Sequence, residues 1–332
     1  MSDKIVMGHG SGGILTHQLI TEVFMPAFGD SPLQTMDDAT LLNINSPIVV
    51  STDTFTVNPL FFPGGDIGKL AINGTVNDIA VSTGKPLYLT VGFVLEEGFP
   101  ISDLKRIVNS MKEAAEAIGV KIVAGDTKVV ERGKGDGVYI NTTGIGIYEG
   151  LGKLNKEPIK PGDKVIVSGS IGEHAATIMI HREDLGIQAD IESDCAPVVD
   201  LVKVALETGG VKWMRDPTRG GVGTTLNELV MDKHFGILLN EESIPVKDAV
   251  KGIAGLLGID PLYMACEGRV LFVVKGDKAE EVLKALRELP EGRESAIIGE
   301  ITKGHAGKVR LKTRWSERFV PMLPGEQLPR IC

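Results

Sequence analysis

Residues 64–84, GGDIGKLAINGTVNDIAVSTG, constrain the fold more than any other stretch of this chain. Apolar positions recur at helical spacing through Ile67, Leu70, Ala71 and Gly74, then Ile79 or Val81, with Gly84 as the expected stop. The same turns carry a second stripe, in which Asp66, Asn73 and Asn77 lie close to one face with Asp78 alongside. Carboxyl and amide groups in the middle of a mostly apolar helix are costly unless each finds a hydrogen bond or serves a ligand.

Strand-like and helix-like segments flank this helix. IVVST runs as a short buried strand into Asp53, PLYLTVGFVL reads as a strand, and ISDLKRIVNSMKEAAEAIG is an amphipathic helix capped by Ser102 and stopped by Gly119. VKIVAGDTK then reads as a strand ending on Asp126, and GVYINTTGIGIYEG as another. The pattern restarts near LNKEPIKPGDK, which puts a first domain at 1–155 and a second at 156–316. The second half holds strands KVIVSG, GILLN, RVLFVVKG, AIIGEI and KVRLKT, with helices IGEHAATIMI, PVVDLVKVALETG and AEEVLKALREL. Without a regular βαβ crossover rhythm the pattern favours α+β sheets with helices packed on one face. From 317 to 332 the chain reads as an extended tail, since Pro321, Pro324, Gly325 and Pro329 cannot continue a helix and make a poor central strand. It carries a thiol, Cys332, as its last residue.

With 332 residues and 42% hydrophobic content, the chain can bury a sizeable core, and two domains are expected. A formal charge of -9 argues against nucleic-acid binding through backbone electrostatics. The start, MSDKIVMGHGSGG, lacks a basic and an apolar region of secretory type, and no apolar run is long enough to span a bilayer. Cys195, Cys266 and Cys332 form no C-x-x-C pair, so neither a disulfide framework nor a zinc site is expected. A cytoplasmic protein is expected. The 41 glycines cluster without a fixed period, as turns or as backbone that approaches something closely.

Acidic residues at strand and helix ends of the first half are the main chemical signal: Asp37, Asp38, Asp53, Asp78 and Asp126. Singly, each is a turn or cap residue. As a group in segments of low charge, they suit a hard cation such as Mg²⁺, which takes one or two carboxylates plus substrate phosphates. GHGSGG, with Gly10 and Gly12, offers bare N–H groups to phosphate oxygens, yet matches neither a Walker loop nor a Rossmann fingerprint. RDPTRGGVG before an apolar helix offers further amides, with Asp216 adding a carboxylate and Arg219 a positive charge. Lys128, two residues beyond Asp126, could meet a phosphate. Glu267, before an apolar strand, is either a partly buried general base or the salt-bridge partner of Arg269 or a lysine. Cys266 reads as a small buried residue.

Taken together and in order, DDAT, STDTF, AINGTVNDIAVSTGKPLYLT, AGDTK, RDPTRGGVGTTLNEL, ACEGR and the terminal PRIC closely resemble the HypE hydrogenase maturation family. That family falls within the aminoimidazole ribonucleotide synthetase (PurM-like) superfamily of ATP-using enzymes. The resemblance covers essentially the whole chain. It implies an α+β, two-domain PurM-like fold whose N-terminal sheets pair in a homodimer, with a C-terminal α/β sandwich and ATP in the cleft between the domains. Asp38, Asp53 and Asp78 would hold Mg²⁺ and the phosphates. Asn77, Asp126, Thr127, Asp216 and Arg219 would add to the nucleotide site, and the glycine-rich start with Gly10 and Gly12 would close over it. Lys128 and Glu267 would flank the reacting group. The implied chemistry is ATP-dependent dehydration of a carbamoyl group on the cysteine thiol, loaded by the carbamoyltransferase HypF, with the cyano group then passed to iron on a HypC–HypD complex. Twelve residues from Pro321 to Cys332 could extend about 40 Å, enough for a swinging arm. A synthetase or kinase acting on a diffusible substrate would use the same aspartates and leave Cys332 dispensable. An iron-binding scaffold would use the thiol without turning over ATP.

Overall fold

A computed structural model describes residues 3–10, 14–28, 42–182, 189–323, 328 and 330–332. After α1 (Ile14–Leu19) and α2 (Met25–Phe28), the chain forms β1 (Ile48–Phe55) and a hairpin of β2 (Phe61–Phe62) and β3 (Gly65–Asp66). The helix expected from the opening motif follows as α3 (Ile67–Val81), then β4 (Lys85–Glu96), α4 (Ile101–Ile118), β5 (Lys121–Val130) and β6 (Val138–Ile147). The first sheet has the order β1-β6-β4-β5, antiparallel except for β4 and β5, which the α4 crossover makes parallel.

Asp66 starts α3 by accepting from the N–H groups of Gly68 at 2.7 Å and Lys69 at 3.0 Å, which fill orphan donors of the first turn. The first two residues beyond α3 are Ser82 at the cap and Thr83, and it is Thr83, not the expected Gly84, that takes the left-handed conformation, with φ 64°. In α4, Pro100 occupies the N-cap and Ser102 lies inside the first turn, whereas Gly119 closes the helix as expected, at φ 75°. Leu104, Ile107 and Met111 of α4 pack with Ile67, Leu70 and Ala71 of α3 in one apolar cluster. Both helices cover the same face of the sheet. On its other face Ile48, Val50 and Val94 are exposed. β5 runs on through Asp126 to Val130 instead of ending there.

The second half folds as β7 (Lys164–Val167), α5 (Glu173–Arg182), α6 (Val199–Thr208), β8 (Val211–Arg215), α7 (Gly221–Val230), β9 (Gly236–Asn240) and α8 (Asp248–Leu257). It continues with β10 (Leu271–Val274), α9 (Ala279–Arg287), β11 (Ala296–Thr302), β12 (Val309–Lys312) and β13 (Glu317–Val320). The seven-stranded sheet has the order β13-β12-β9-β11-β7-β10-β8. Alternate residues of its central strands feed two cores: Leu271, Val273 and Val165 meet Val222 and Leu226 of α7, while Phe272 and Ile166 meet α6 and α9. This sheet is therefore covered on both faces, unlike the one-sided packing expected from the sequence, which holds for the first sheet alone. The expected tail at 317–332 is corrected as well, because 317–320 is β13, paired antiparallel with β12.

Two domains meet along α3 and α5. Ala175, Ile178 and Met179 of α5 belong to the same apolar cluster as α3 and α4, and Leu328 and Ile331 of the tail are buried in it too. Asn77 of α3 fastens the seam: its amide Nδ2 donates to Ala196 O at 3.0 Å and Glu267 O at 3.1 Å, and its Oδ1 accepts from Val198 N at 2.9 Å.

Candidate active site

At this seam a cleft is lined by Asp53 and Asp78 from the first domain, Asp216, Arg219 and Glu267 from the second, and Cys332 from the tail. Strand alternation places Ser51, Asp53 and Phe55 of β1 on the side of α3, and Ser51 Oγ donates to Asp78 Oδ2 at 2.7 Å. Arg219, exposed at the rim, reaches Asp53 with its guanidinium at 3.4 Å. Burial, then the neighbouring Asp78, push the Asp53 carboxyl up to about 6. Burial, then Asp78, raise Asp216 to about 7. Glu267 is driven well above the usual carboxylate range by burial and by the acidic groups around it. Such mutual repulsion is what a bound cation relieves.

Asp53, Asp78 and Asp216 present only oxygen donors, the set a hard divalent ion prefers. Among the described residues no three such side chains converge closely enough to cage an ion by themselves. An ion held there would have to complete its shell with phosphate oxygens and water. Asp38 and Gly12, expected in this site, lie outside the described residues, and Gly10 ends a short 3₁₀ turn, Met7–Gly10, that packs against β5.

The Arg269 pairing that the sequence left open for Glu267 is not formed. Arg269 turns to Glu173 at 3.3 Å and Asp194 at 3.6 Å, so it does not pair with Glu267. Oε1 of Glu267 is buried and, among the described residues, has no hydrogen-bond partner. Asp194 braces the Glu267–Gly268 turn by accepting from both N–H groups at 3.3 Å. Gly268 is required there, since a Cβ would stand 1.9 Å from Asp194 O. Cys266 is fully buried, its Sγ accepting from Gly172 N at 3.3 Å, and burial raises its thiol pKa, in keeping with a packing role.

The turn ahead of α7 holds Gly220 and Gly221 at φ 69° and 59°, and a Cβ on Gly221 would meet Met264 O at 2.6 Å. These glycines let α7 dock on residues 262–264 and hold Asp216 and Arg219 at the cleft.

Three expected site residues stand elsewhere. Asp126 and Lys128 pair at 3.1 Å on β5, at the far edge of the first sheet from β1. The register carries Thr54 to Asn141, Gly92 and Asp126, so these two side chains face away from α3, on the opposite side of the sheet from Asp53. Thr127 and Asp126 instead line a separate pocket with Phe24 and Phe93. Asn77, expected at the nucleotide, has both ends of its amide committed to main chain and serves as an inter-domain clamp.

The end of the tail is docked. Cys332 O accepts from Thr56 N at 3.1 Å and Thr56 Oγ1 at 3.2 Å, and Arg330 O accepts from Asn58 N at 3.3 Å. His174 Nε2 meets Ile331 O at 2.8 Å. Most of these contacts involve main-chain atoms, which leave no motif in a sequence; His174 alone had a signal, as a lone ring in the apolar run IGEHAATIMI.

Comparison with known proteins matches residues 36–148 to the AIR synthase related protein N-terminal domain and 160–312 to its C-terminal domain. The carbamoyl dehydratase HypE of Azotobacter vinelandii is 46% identical over 332 residues, covering 99% of this chain and 97% of that protein. A crystal structure of the hydrogenase maturation protein HypE in complex with ATP superposes with a TM-score of 0.93 at 43% identity, covering 98% of this chain and 99% of that one. A HypE–HypF complex matches with a TM-score of 0.79 at 46% identity, over 91% of this chain and 99% of that one.

Proposed function

The chain belongs to the AIR synthase related family, among its HypE carbamoyl dehydratases, and from that membership we propose that it dehydrates a carbamoyl group on Cys332, using ATP, to the thiocyanate that supplies cyanide to the iron of nickel–iron hydrogenase. One observation carries this reading: the terminal cysteine lines the same cleft as the acidic cluster and Glu267. A diffusible-substrate synthetase has no use for a thiol in that place.

The chemistry follows from the leaving group. In S–C(=O)–NH₂ the oxygen cannot depart as oxide, so it attacks the γ-phosphorus of ATP and releases ADP. The nitrogen gives one proton to a base, and the C–O bond then breaks with phosphate leaving. Loss of the second nitrogen proton completes S–C≡N, with ADP, phosphate and one proton as the other products. Glu267 is the base in this reading, because Oε1 of its buried carboxyl meets no competing partner among the described residues and a raised pKa brings it towards the operating range. Arg219 at the rim meets the phosphates. A magnesium ion held by Asp53, Asp78 and Asp216 would offset triphosphate charge.

Homodimer formation fits the exposed apolar face of the first sheet, with Ile48, Val50 and Val94 uncovered. With the two-fold axis along the strands, laying two such faces together sets the β5 edge of one copy beside the β1 edge of the other, which brings Lys128 towards the partner's cleft. In this reading HypF loads Cys332, a HypC–HypD complex takes the cyano group, and the work is done in the cytoplasm.

Intact-mass spectra of the C-terminal peptide test the proposal, after supplying carbamoyl phosphate, active HypF and Mg²⁺–ATP. A carbamoyl adduct on Cys332 that loses one water only with ATP is the expected result. No adduct, with HypF shown to be active, overturns it.

A further inference from the structure

The last three residues are held as a ligand would be. Arg330 O takes Asn58 N–H and the Arg182 guanidinium, Ile331 O takes His174 Nε2, and Cys332 O takes both donors of Thr56. The Ile331 side chain is 3% exposed within the inter-domain apolar cluster, which fixes the register. Thr56 and Asn58 belong to the first domain, whereas His174 and Arg182 stand at the two ends of α5 in the second, so the tail crosses the seam.

His174 is the most constrained part of this slot. Its ring is fully buried, stacked edge-on against Phe62 with centroids 5.5 Å apart. A carbonyl can only accept, so the nitrogen facing Ile331 O carries hydrogen. Nδ1 of the neutral ring is then an acceptor, and the Ser193 hydroxyl donates to it at 2.7 Å while its Oγ takes Cys195 N–H at 3.0 Å. The chain Cys195 N–H, Ser193 O–H, His174 Nε2–H and Ile331 O is complete in one direction. If the tail leaves, a buried Nε2–H loses its partner.

We propose that Thr56, Asn58, His174 and Arg182 form a receptor for the chain's own C-terminal tripeptide, with His174 as the positioning residue that seats Cys332 in the cleft. This rests on the reading of Cys332 as the carrier of the reacting group, and it adds the element that ends each swing of the arm. His174 touches no reacting atom; it acts through the Ile331 carbonyl. Seating the tail on both domains at once also makes thiol delivery conditional on their juxtaposition.

Cys195 and Cys266 are buried, so alkylation of the full-length chain by iodoacetamide, followed by intact mass, reads Cys332. In His174→Ala, alkylation should accelerate by about tenfold, the shift that loss of one hydrogen bond produces. His174→Gln, whose amide can still donate, should restore much of the protection. Ser193→Ala, which leaves the tail and the His174 ring in place, should give an intermediate rate and serves if the alanine variant does not fold. Dehydration of pre-carbamoylated His174→Ala should slow by a similar factor with ATP affinity and HypF loading unchanged. Wild-type alkylation rates in His174→Ala, or in Ser193→Ala should His174→Ala not fold, overturn the receptor. Because alkylation needs no ATP, a wild-type chain that never loses water from its adduct sinks the dehydratase reading and leaves the receptor standing.

Discussion

Among the described residues Glu267 has no cationic partner, since Asp194 and Glu173 take Arg269, and Asp194 and Asn77 fix its main chain. Glu267→Gln preserves shape and removes the proton acceptor. ATP binding and carbamoyl loading should persist while dehydration falls about 10²- to 10⁴-fold, the usual contribution of a general base. Near-normal water loss by intact mass would rule Glu267 out. Asp78→Asn should weaken Mg²⁺–ATP binding by roughly tenfold, the loss of one charge-assisted contact; calorimetry showing unchanged affinity would remove it from the metal site. At this scale the sequence was legible for Asp53, Asp78, Asp216 and Glu267, which converge. It was not for Asn77, since a side chain that clamps main chain looks, in one dimension, like one that binds a ligand.

Secondary-structure elements with clean periodicity were read correctly, α4 above all. β8 (VKWMR) escaped notice because Lys212 interrupts its apolar pattern, yet Lys212 is buried and paired with Asp163 at 2.8 Å. α8 (DAVKGIAGLL) hides behind Gly252 and Gly255, which weaken a helical reading. For β5 the strand was expected, but only its register shows that Asp126 and Lys128 face away from Asp53. If Lys128 serves the partner's cleft, Lys128→Ala and Glu267→Gln proteins, each inactive alone, should complement when dissociated and mixed. Random pairing puts both defects in one cleft of each heterodimer and leaves the other intact, so about a quarter of wild-type turnover should return. No recovery, with heterodimers shown by native mass, would place Lys128 outside the reaction. Val50→Lys on the exposed sheet face should lower the dimer fraction in sedimentation, and an unchanged dimer would locate the interface elsewhere.

Across the whole molecule, the acidic cluster is split between domains, with Asp53 and Asp78 on one side of the seam and Asp216 and Glu267 on the other. Repulsion among them opposes closure, while Asn77 and the docked tail favour it. The folded chain holds the Asp53 and Asp216 protons to about 6 and about 7, whereas the unfolded chain releases them near the ordinary aspartate value. Between those limits the folded state binds more protons, so the nucleotide-free chain should lose stability as pH rises through this window and level off above it. Mg²⁺ with ATP supplies positive charge to the ionised cluster and binds only the folded state, so it should stabilise most at the upper end and flatten the profile. Thermal unfolding in both conditions between mildly acidic and mildly alkaline pH checks this. A flat profile without nucleotide would mean that the carboxylates are relieved by protein groups alone, and the case for a cation at the seam would fall with it.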